Sequence, residues 1–238
     1  TAIGQGALDT CTTSSNNTAV GSNALNVSTA GNSTAVGQNA LASNTSGVRN
    51  TGCGYQVLNS NQTGGSNTAM GYQALYSNTG DGNSGFGNDA LRLNTSGEKN
   101  TALGNEALEN NTTANHSTAV GHHALTTNTT AERNTAVGQS SLRRNTTGDY
   151  NSALGSSALY SNTTGDHNTA LGRTALYANT TANNNTAVGS NALGSNTTGT
   201  ANVAVGVNAL NDNTTTGYLT AIGYYALKAN TTGTENVA

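Results

Sequence analysis

Proline and tryptophan are absent from all 238 residues, phenylalanine and methionine occur once each, and cysteine occurs twice. Only 8% of the residues are charged and 4% are aromatic. Each scarcity excludes something. The apolar volume comes almost wholly from Ala, Val and Leu, so a thick globular core cannot be built. The formal charge is −3 and no basic run is longer than Arg143-Arg144, which argues against nucleic acid as a partner, because that binding rests on phosphate neutralisation. No apolar run approaches the roughly 18 to 20 residues of a membrane-spanning helix, and the amino terminus lacks the charged and apolar regions of a signal peptide. Low hydrophobicity hints at disorder, but the disorder signature also needs high net charge and no regular apolar pattern, and neither holds here. The missing proline fits a ladder in which every backbone N–H is needed as a donor.

What is present is a period. Glycine stands at positions 4, 21, 37, 54, 71, 87, 104, 121, 138, 155, 172, 189, 206 and 223, at spacings of 17 residues or, twice, 16. A unit of that size is too short for a helical hairpin and long enough for one coil of a β-solenoid, in which each coil stacks on the last. Glycine in every unit and the abundance of Thr, Asn and Ser argue against the competing amphipathic helix. The expected fold is all-β: a parallel β-solenoid, or β-roll, with one coil per 17-residue repeat and about 14 coils, forming a single array over residues 1–238. The sequence opens at Thr1-Ala2-Ile3-Gly4 and closes at Asn236-Val237-Ala238, both mid-unit and without a polar cap. The array is therefore expected to be a window of a longer fibre, or to end against other molecules.

Laid out from Asn134, the unit reads Asn-Thr-Ala-Val-Gly-Gln-Ser-Ser-Leu-Arg-Arg-Asn-Thr-Thr-Gly-Asp-Tyr. A Leu follows each of the fourteen glycines by four residues, as at Leu8, Leu25, Leu142 and Leu227, and the residue before each glycine is always apolar. These two slots are expected to be the core rungs. Alanine recurs beside both, and adjacent strand residues face opposite ways, so one apolar strip is left over. It is expected to be a flat strip of alanines, either exposed to solvent or covered by a partner chain, and a narrow fibre gains more from self-association. The recurring glycine is expected to supply a backbone angle that other residues avoid, and Gly148, Gly165 or Ala182 to mark another corner. Polar pairs such as Glu98-Lys99, Glu132-Arg133 and Asp166-His167 read as solvated loop. Cys11 and Cys53 lie between two and three coils apart, roughly 10 to 14 Å, which is beyond disulfide reach. Cys53 sits in the slot before glycine and reads as a small core residue.

Eleven units carry Asn-x-Ser/Thr at one slot: Asn44, Asn61, Asn94, Asn111, Asn128, Asn145, Asn162, Asn179, Asn196, Asn213 and Asn230. Asn16, Asn26, Asn32, Asn110, Asn115 and Asn184 match off that slot. Two readings stay open. Each match is an acceptor sequence for covalent N-glycans, if the chain meets the transferase. Alternatively the Asn and Thr columns are side-chain ladders, amide on amide and hydroxyl on hydroxyl. The middle residue of the triplet is Thr in thirteen of fourteen units, which the glycosylation rule does not require and a ladder must explain. Tyr160 and Tyr177, two residues before an acceptor, could stack on sugars or simply cover a half-exposed edge.

No catalytic set is legible. His122 and His123 would face opposite ways on a strand and have no Cys or carboxylate at ligand spacing, so no metal site is expected. The acidic residues do not form the Gly-Gly-x-Gly-x-Asp calcium pattern of other β-rolls. Gly21-x-x-Ala24 and its copies lack the strand, helix and acidic residue of a dinucleotide site. No cofactor and no enzyme activity are expected. An ice-binding face would need two outward threonines separated by one residue, whereas one Thr pair here is adjacent and the other Thr is followed by Ala-Val.

The stretch Ser117-Thr118-Ala119-Val120-Gly121-His122-His123-Ala124-Leu125, repeated as Asn134-Thr135-Ala136-Val137-Gly138 and Asn185-Thr186-Ala187-Val188-Gly189, resembles the head-domain repeats of trimeric autotransporter adhesins of the YadA type. It is also similar to repeats of phage and viral tail fibres and bacterial surface fibres. The resemblance covers all fourteen units and implies a parallel β-roll assembled as a trimer and used for attachment. The inserted Asn-Thr-Thr-Gly corner departs from that pattern, as does the lack of a stalk or membrane anchor. The expectation is an extracellular, non-enzymatic structural fibre at a cell or virion surface, self-associating as a trimer or end to end, with an adhesin or tail-fibre module that recognises surface glycans as the alternative.

Overall fold

The computed structural model describes residues 1–11 and 14–238, and the chain divides into two compact units, Thr1–His116 and Ser117–Ala238. Each unit is a parallel β-solenoid. The first carries seven short strands from Ala2–Ile3 to Thr101–Leu103, and the second seven from Thr118–Val120 to Thr220–Ile222. No helix is present among the described residues. Within a unit the strands pair in sequence order and in register, like residue on like: Thr135, Ser152, Thr169 and Thr186 form one row, and Val137, Leu154, Leu171 and Val188 another.

A three-residue strand, as in Thr135-Ala136-Val137, is as long as the motif allows, because the glycine after it leaves the strand. Gly121, Gly138 and Gly155 have φ of 134°, 130° and 139°, a region that side chains disfavour. The coils also approach closely there. A Cβ added at Gly155 would lie 2.5 Å from the carbonyl oxygen of Gly172 in the next coil. The expectation that this glycine turns the chain is met, on two grounds at once.

From glycine the chain makes two successive tight turns. Ala158 N–H donates to the Gly155 carbonyl, and Asn162 N–H donates to the Leu159 carbonyl. The second residue after each glycine and the leucine at the fourth are both left-handed, as at Ser157 (φ 55°) and Leu159 (φ 54°). A left-handed leucine costs about 1–2 kcal/mol. Full burial of its side chain contributes about 1.5–3 kcal/mol, and its N–H donates to the Ala175 carbonyl of the next coil, so the conformation is held. A further left-handed residue closes each coil, as at Arg133, Tyr150 and His167. Polar pairs such as Asp166-His167 are thus surface loop, with a fixed backbone.

The leucine rung is core, as expected, but its partner is not the residue before glycine. Twelve leucines from Leu25 to Leu210 are fully buried, facing the strand alanines Ala19, Ala35, Ala136 and Ala170 and the second alanine row at Ala24, Ala124 and Ala158. Val, Leu, Ile and Met before glycine turn outward: Leu103 and Leu154 are 50% and 49% exposed, and Ile222 63%. The leftover strip is therefore aliphatic, and the alanines lie inside. Cys53 belongs to this outward row and is only half-buried, which corrects its placement in the core. The interior is narrow: where Val57 replaces an alanine opposite leucine, the facing strand residue is Gly52. Cys11 and Cys53 are both free thiols, as their separation requires.

Candidate functional site

Two asparagine columns run through the interior. The first holds the acceptor-sequence residues. Asn44, Asn61, Asn94, Asn111, Asn128, Asn145, Asn162, Asn179, Asn196 and Asn213 are fully buried, and Asn230 in the last coil is partly so. Asn162 shows the pattern. Its Nδ2 donates to the Gly165 carbonyl of its own coil at 2.9 Å and to Asn145 Oδ1 of the preceding coil at 2.8 Å, while its Oδ1 accepts from Asn179 at 2.9 Å. Both amide protons are used, at a site without water to replace them. A glycan on Nδ2 would remove one of these protons and place a sugar where the neighbouring coil stands. At the ten fully buried positions the folded coil leaves no room for a glycan.

The second column stands one residue before each strand, as at Asn134, Asn151, Asn168 and Asn185. Asn151 Nδ2 donates to the Gly165 carbonyl at 2.8 Å, and its Oδ1 accepts the backbone N–H of Asn168 at 3.0 Å. This row stitches each coil to the next through both ends of the amide. Nothing in the sequence analysis singled it out, although Asn or Ser fills the slot in thirteen of fourteen units. Ser33 and Ser117 keep the acceptor role, at 3.2 and 3.4 Å.

The threonine column behaves differently from the expected hydroxyl-on-hydroxyl ladder. Thr146, Thr163, Thr180 and Thr197 each donate through Oγ1 to the backbone carbonyl of the equivalent Thr in the next coil, as from Thr146 to Thr163 at 2.9 Å. That carbonyl also receives a backbone N–H from the same coil. The hydroxyl is thus the reason that the triplet's middle residue is nearly always Thr.

The off-slot acceptors divide by exposure. Asn16, Asn32 and Asn184 are exposed at left-handed corners, Asn26, Asn110 and Asn115 half-buried. If this chain is expressed in a glycosylating host, peptide mass spectrometry of the folded product should find any glycans at Asn16, Asn32 or Asn184, and the peptides spanning Asn128 to Asn196 otherwise unmodified. Extensive occupancy of the Asn128–Asn196 column on folded protein would overturn the ladder geometry.

The outward face of each strand row is a second candidate. Threonine and the apolar residue two positions later both point out, and in the second unit Thr135, Val137, Ser152, Leu154, Thr169 and Leu171 line a shallow groove of about 260 Å³. No strand residue is charged in any coil. Elsewhere, side chains in one column stack from coil to coil: Tyr55 on Tyr72 with ring centres 5.3 Å apart, Tyr150 on His167 at 4.9 Å, and Tyr160 on Tyr177 at 5.2 Å.

Titratable groups are sparse. His122 and His123 lie in a turn and not on a strand, with ring centres 3.7 Å apart, so they do not face opposite ways as the sequence suggested. Among the described residues no three His, Cys, Asp or Glu side chains come together. Burial raises Asp89 above its ordinary value, an effect countered in part by the Arg92 guanidinium 3.6 Å away. Arg92 also pairs with Glu109 at 2.8 Å, a coil-to-coil ion pair at the surface.

No protein-family model matches the chain, and no curated protein is significantly similar to it.

Proposed function

We propose that this chain is an extracellular structural fibre protein that assembles with copies of itself through the outward strand face. The observation behind the reading is the Thr-x-apolar row within each unit, in which Ser84, Ser152 and Val203 alone replace the threonine of a described strand. Seven rungs at about 4.8 Å make a strip on the order of 30 Å long and 10 Å wide, comparable to the largest exposed patch of a typical monomer, which is often functional. Its occupant is best matched by a second copy. The face repeats with the coil spacing and has no charge, so an identical ladder meets it rung for rung without repulsion, whereas a non-repeating surface could match only a few rungs. The resemblance to trimeric adhesin heads supports a threefold assembly and a surface-attached setting. An interior sealed by amide ladders fits a load-bearing role.

Sedimentation equilibrium tests this. The chain is expected to form a defined oligomer, and Leu154→Asp with Leu171→Asp to return it to monomer with its circular dichroism unchanged. A wild-type chain that stays monomeric at high micromolar concentration would overturn the assembly. Thermal hysteresis by that monomer would instead assign the face to ice.

A further inference from the structure

In the second unit the slot five residues after the glycine holds two successive tyrosines and then a glycine. Tyr160 and Tyr177 lie ring on ring, 5.2 Å apart with planes 10° from parallel, and the Arg144 guanidinium lies 5.3 Å from the Tyr160 ring centre. Tyr160 is thus stacked against neighbours. The next member of the column is Gly194, and the one after it Asn211. Glycine supplies no side chain to cover Tyr177, which is 40% exposed, and a notch of about 220 Å³ opens there. Its lining is Thr174, Tyr177, Asn191, Gly194, Ser195 and Asn211.

The chemistry of this lining is specific. One wall is a tyrosine ring, and the rim carries two amides and two hydroxyls. Thr174 Oγ1 donates to Asn191 Oδ1, and Asn211 Nδ2 donates to Asp212 Oδ1 at 2.9 Å, which orients both amides. No lining residue is charged and the nearby Asp212 carboxylate is engaged by Asn211, so a phosphate finds no counter-ion in the lining. A neutral pyranose has the complementary form: a flat C–H face for the ring and a girdle of hydroxyls for the amides. The volume is below the roughly 300–1,000 Å³ of pockets for drug-sized ligands, which leaves room for one sugar ring.

We propose that the notch over Tyr177 is a binding site for a single neutral pyranose residue of a surface glycan. It is separate from the Thr-x-apolar face and does not depend on assembly through that face. Gly194 is the specificity-determining position. Its φ is not left-handed, and a Cβ added there meets the Asn211 Oδ1 tip at 2.7 Å and the Asn191 carbonyl oxygen of its own turn at 3.2 Å, so the slot takes a side chain that would close the notch once the Asn211 amide swings aside.

Saturation-transfer NMR with methyl glucopyranoside, methyl mannopyranoside and methyl N-acetylglucosaminide, each at millimolar concentration, tests the site. At least one is expected to receive saturation, with Tyr177→Ala and Gly194→Tyr each weakening binding by about tenfold or more. Gly194→Tyr is expected to keep the wild-type melting temperature, because tyrosine already fills this column at Tyr160 and Tyr177. Absence of transfer to all three glycosides overturns the proposal, as does transfer that survives both substitutions. Loss of binding in Tyr177→Ala but not in Gly194→Tyr also overturns it, since the open notch would then not be the site.

Discussion

Gly155→Ala is expected to destabilise the second unit by about 3–5 kcal/mol, seen as a lower and broader thermal transition by circular dichroism. Two effects combine. The φ of 139° is one that alanine adopts only at a cost of about 1–3 kcal/mol. The new Cβ would also stand 2.5 Å from the Gly172 oxygen, which no side-chain rotation can relieve because the clash is with backbone. The coils must separate, and with them the Gly172 N–H to Leu154 carbonyl bond of 2.8 Å. Coils interact only with their neighbours, so the damage should divide the unit and the transition should lose its single-step form. Gly148→Ala is the contrast. A Cβ at Gly148 meets the Gly165 oxygen at an even shorter 2.3 Å, but its φ is not left-handed, and Ala131 and Ala182 fill the same slot, both buried. That change should cost no more than about 1 kcal/mol. Equal melts for Gly155→Ala and the wild type would show that the backbone angle is not what fixes this glycine.

The period, the parallel stacking and the leucine rung were legible because each is repeated in fourteen copies and rests on side-chain chemistry. The inside and outside of the strand were not. Strand alternation says that Ala136 and Val137 face opposite ways, but not which of them faces in. The width of the coil decides that. A signal was nevertheless present at Gly52, where glycine replaces the strand alanine in the same coil in which Val57 replaces the second one. A Cβ at Gly52 would meet Val57 Cγ1 at 2.9 Å and Leu41 Cδ1 at 3.5 Å, so the extra methyls of valine occupy the space that the strand alanine vacates. Paired substitutions that conserve volume mark an interior, and they single out the alanine rows. The left-handed leucines could not be read at all. Asn, Gly or Asp at the slot two residues earlier, as at Gly6, Asn23, Asp89 and Asn191, favours that conformation, whereas leucine adopts it only because burial outweighs the strain. For Asn162 and its column the sequence supports an amide ladder and an acceptor motif alike. Only the neighbouring coil, supplying Asn145 Oδ1, separates the two.

Asn162→Asp probes that column most sharply, since it exchanges an NH₂ for an oxygen and changes almost nothing in size. Asn145 Oδ1 loses its donor, the Gly165 carbonyl keeps only the one from Asn151, and both face a new negative charge in a fully buried interior. A buried, uncompensated charge of this kind costs about 3–5 kcal/mol. Asn162→Ser should cost only about 1–2 kcal/mol, because Ser28 already stands fully buried in the same slot and donates to the Ala30 carbonyl at 3.1 Å. Acidity separates charge from shape. Burial raises the folded-state pKa of the new carboxyl above its unfolded value of about 3.9. The penalty is therefore complete above the folded pKa and shrinks as pH falls through it, where a protonated carboxyl regains one donor and loses its charge. Measured against wild type at each pH, the deficit of Asn162→Asp should fall on acidification while that of Asn162→Ser stays level. Equal deficits for the two variants at neutral pH would mean that the amide column carries no more than its volume, and the coils would then be held by backbone pairing and leucine burial alone.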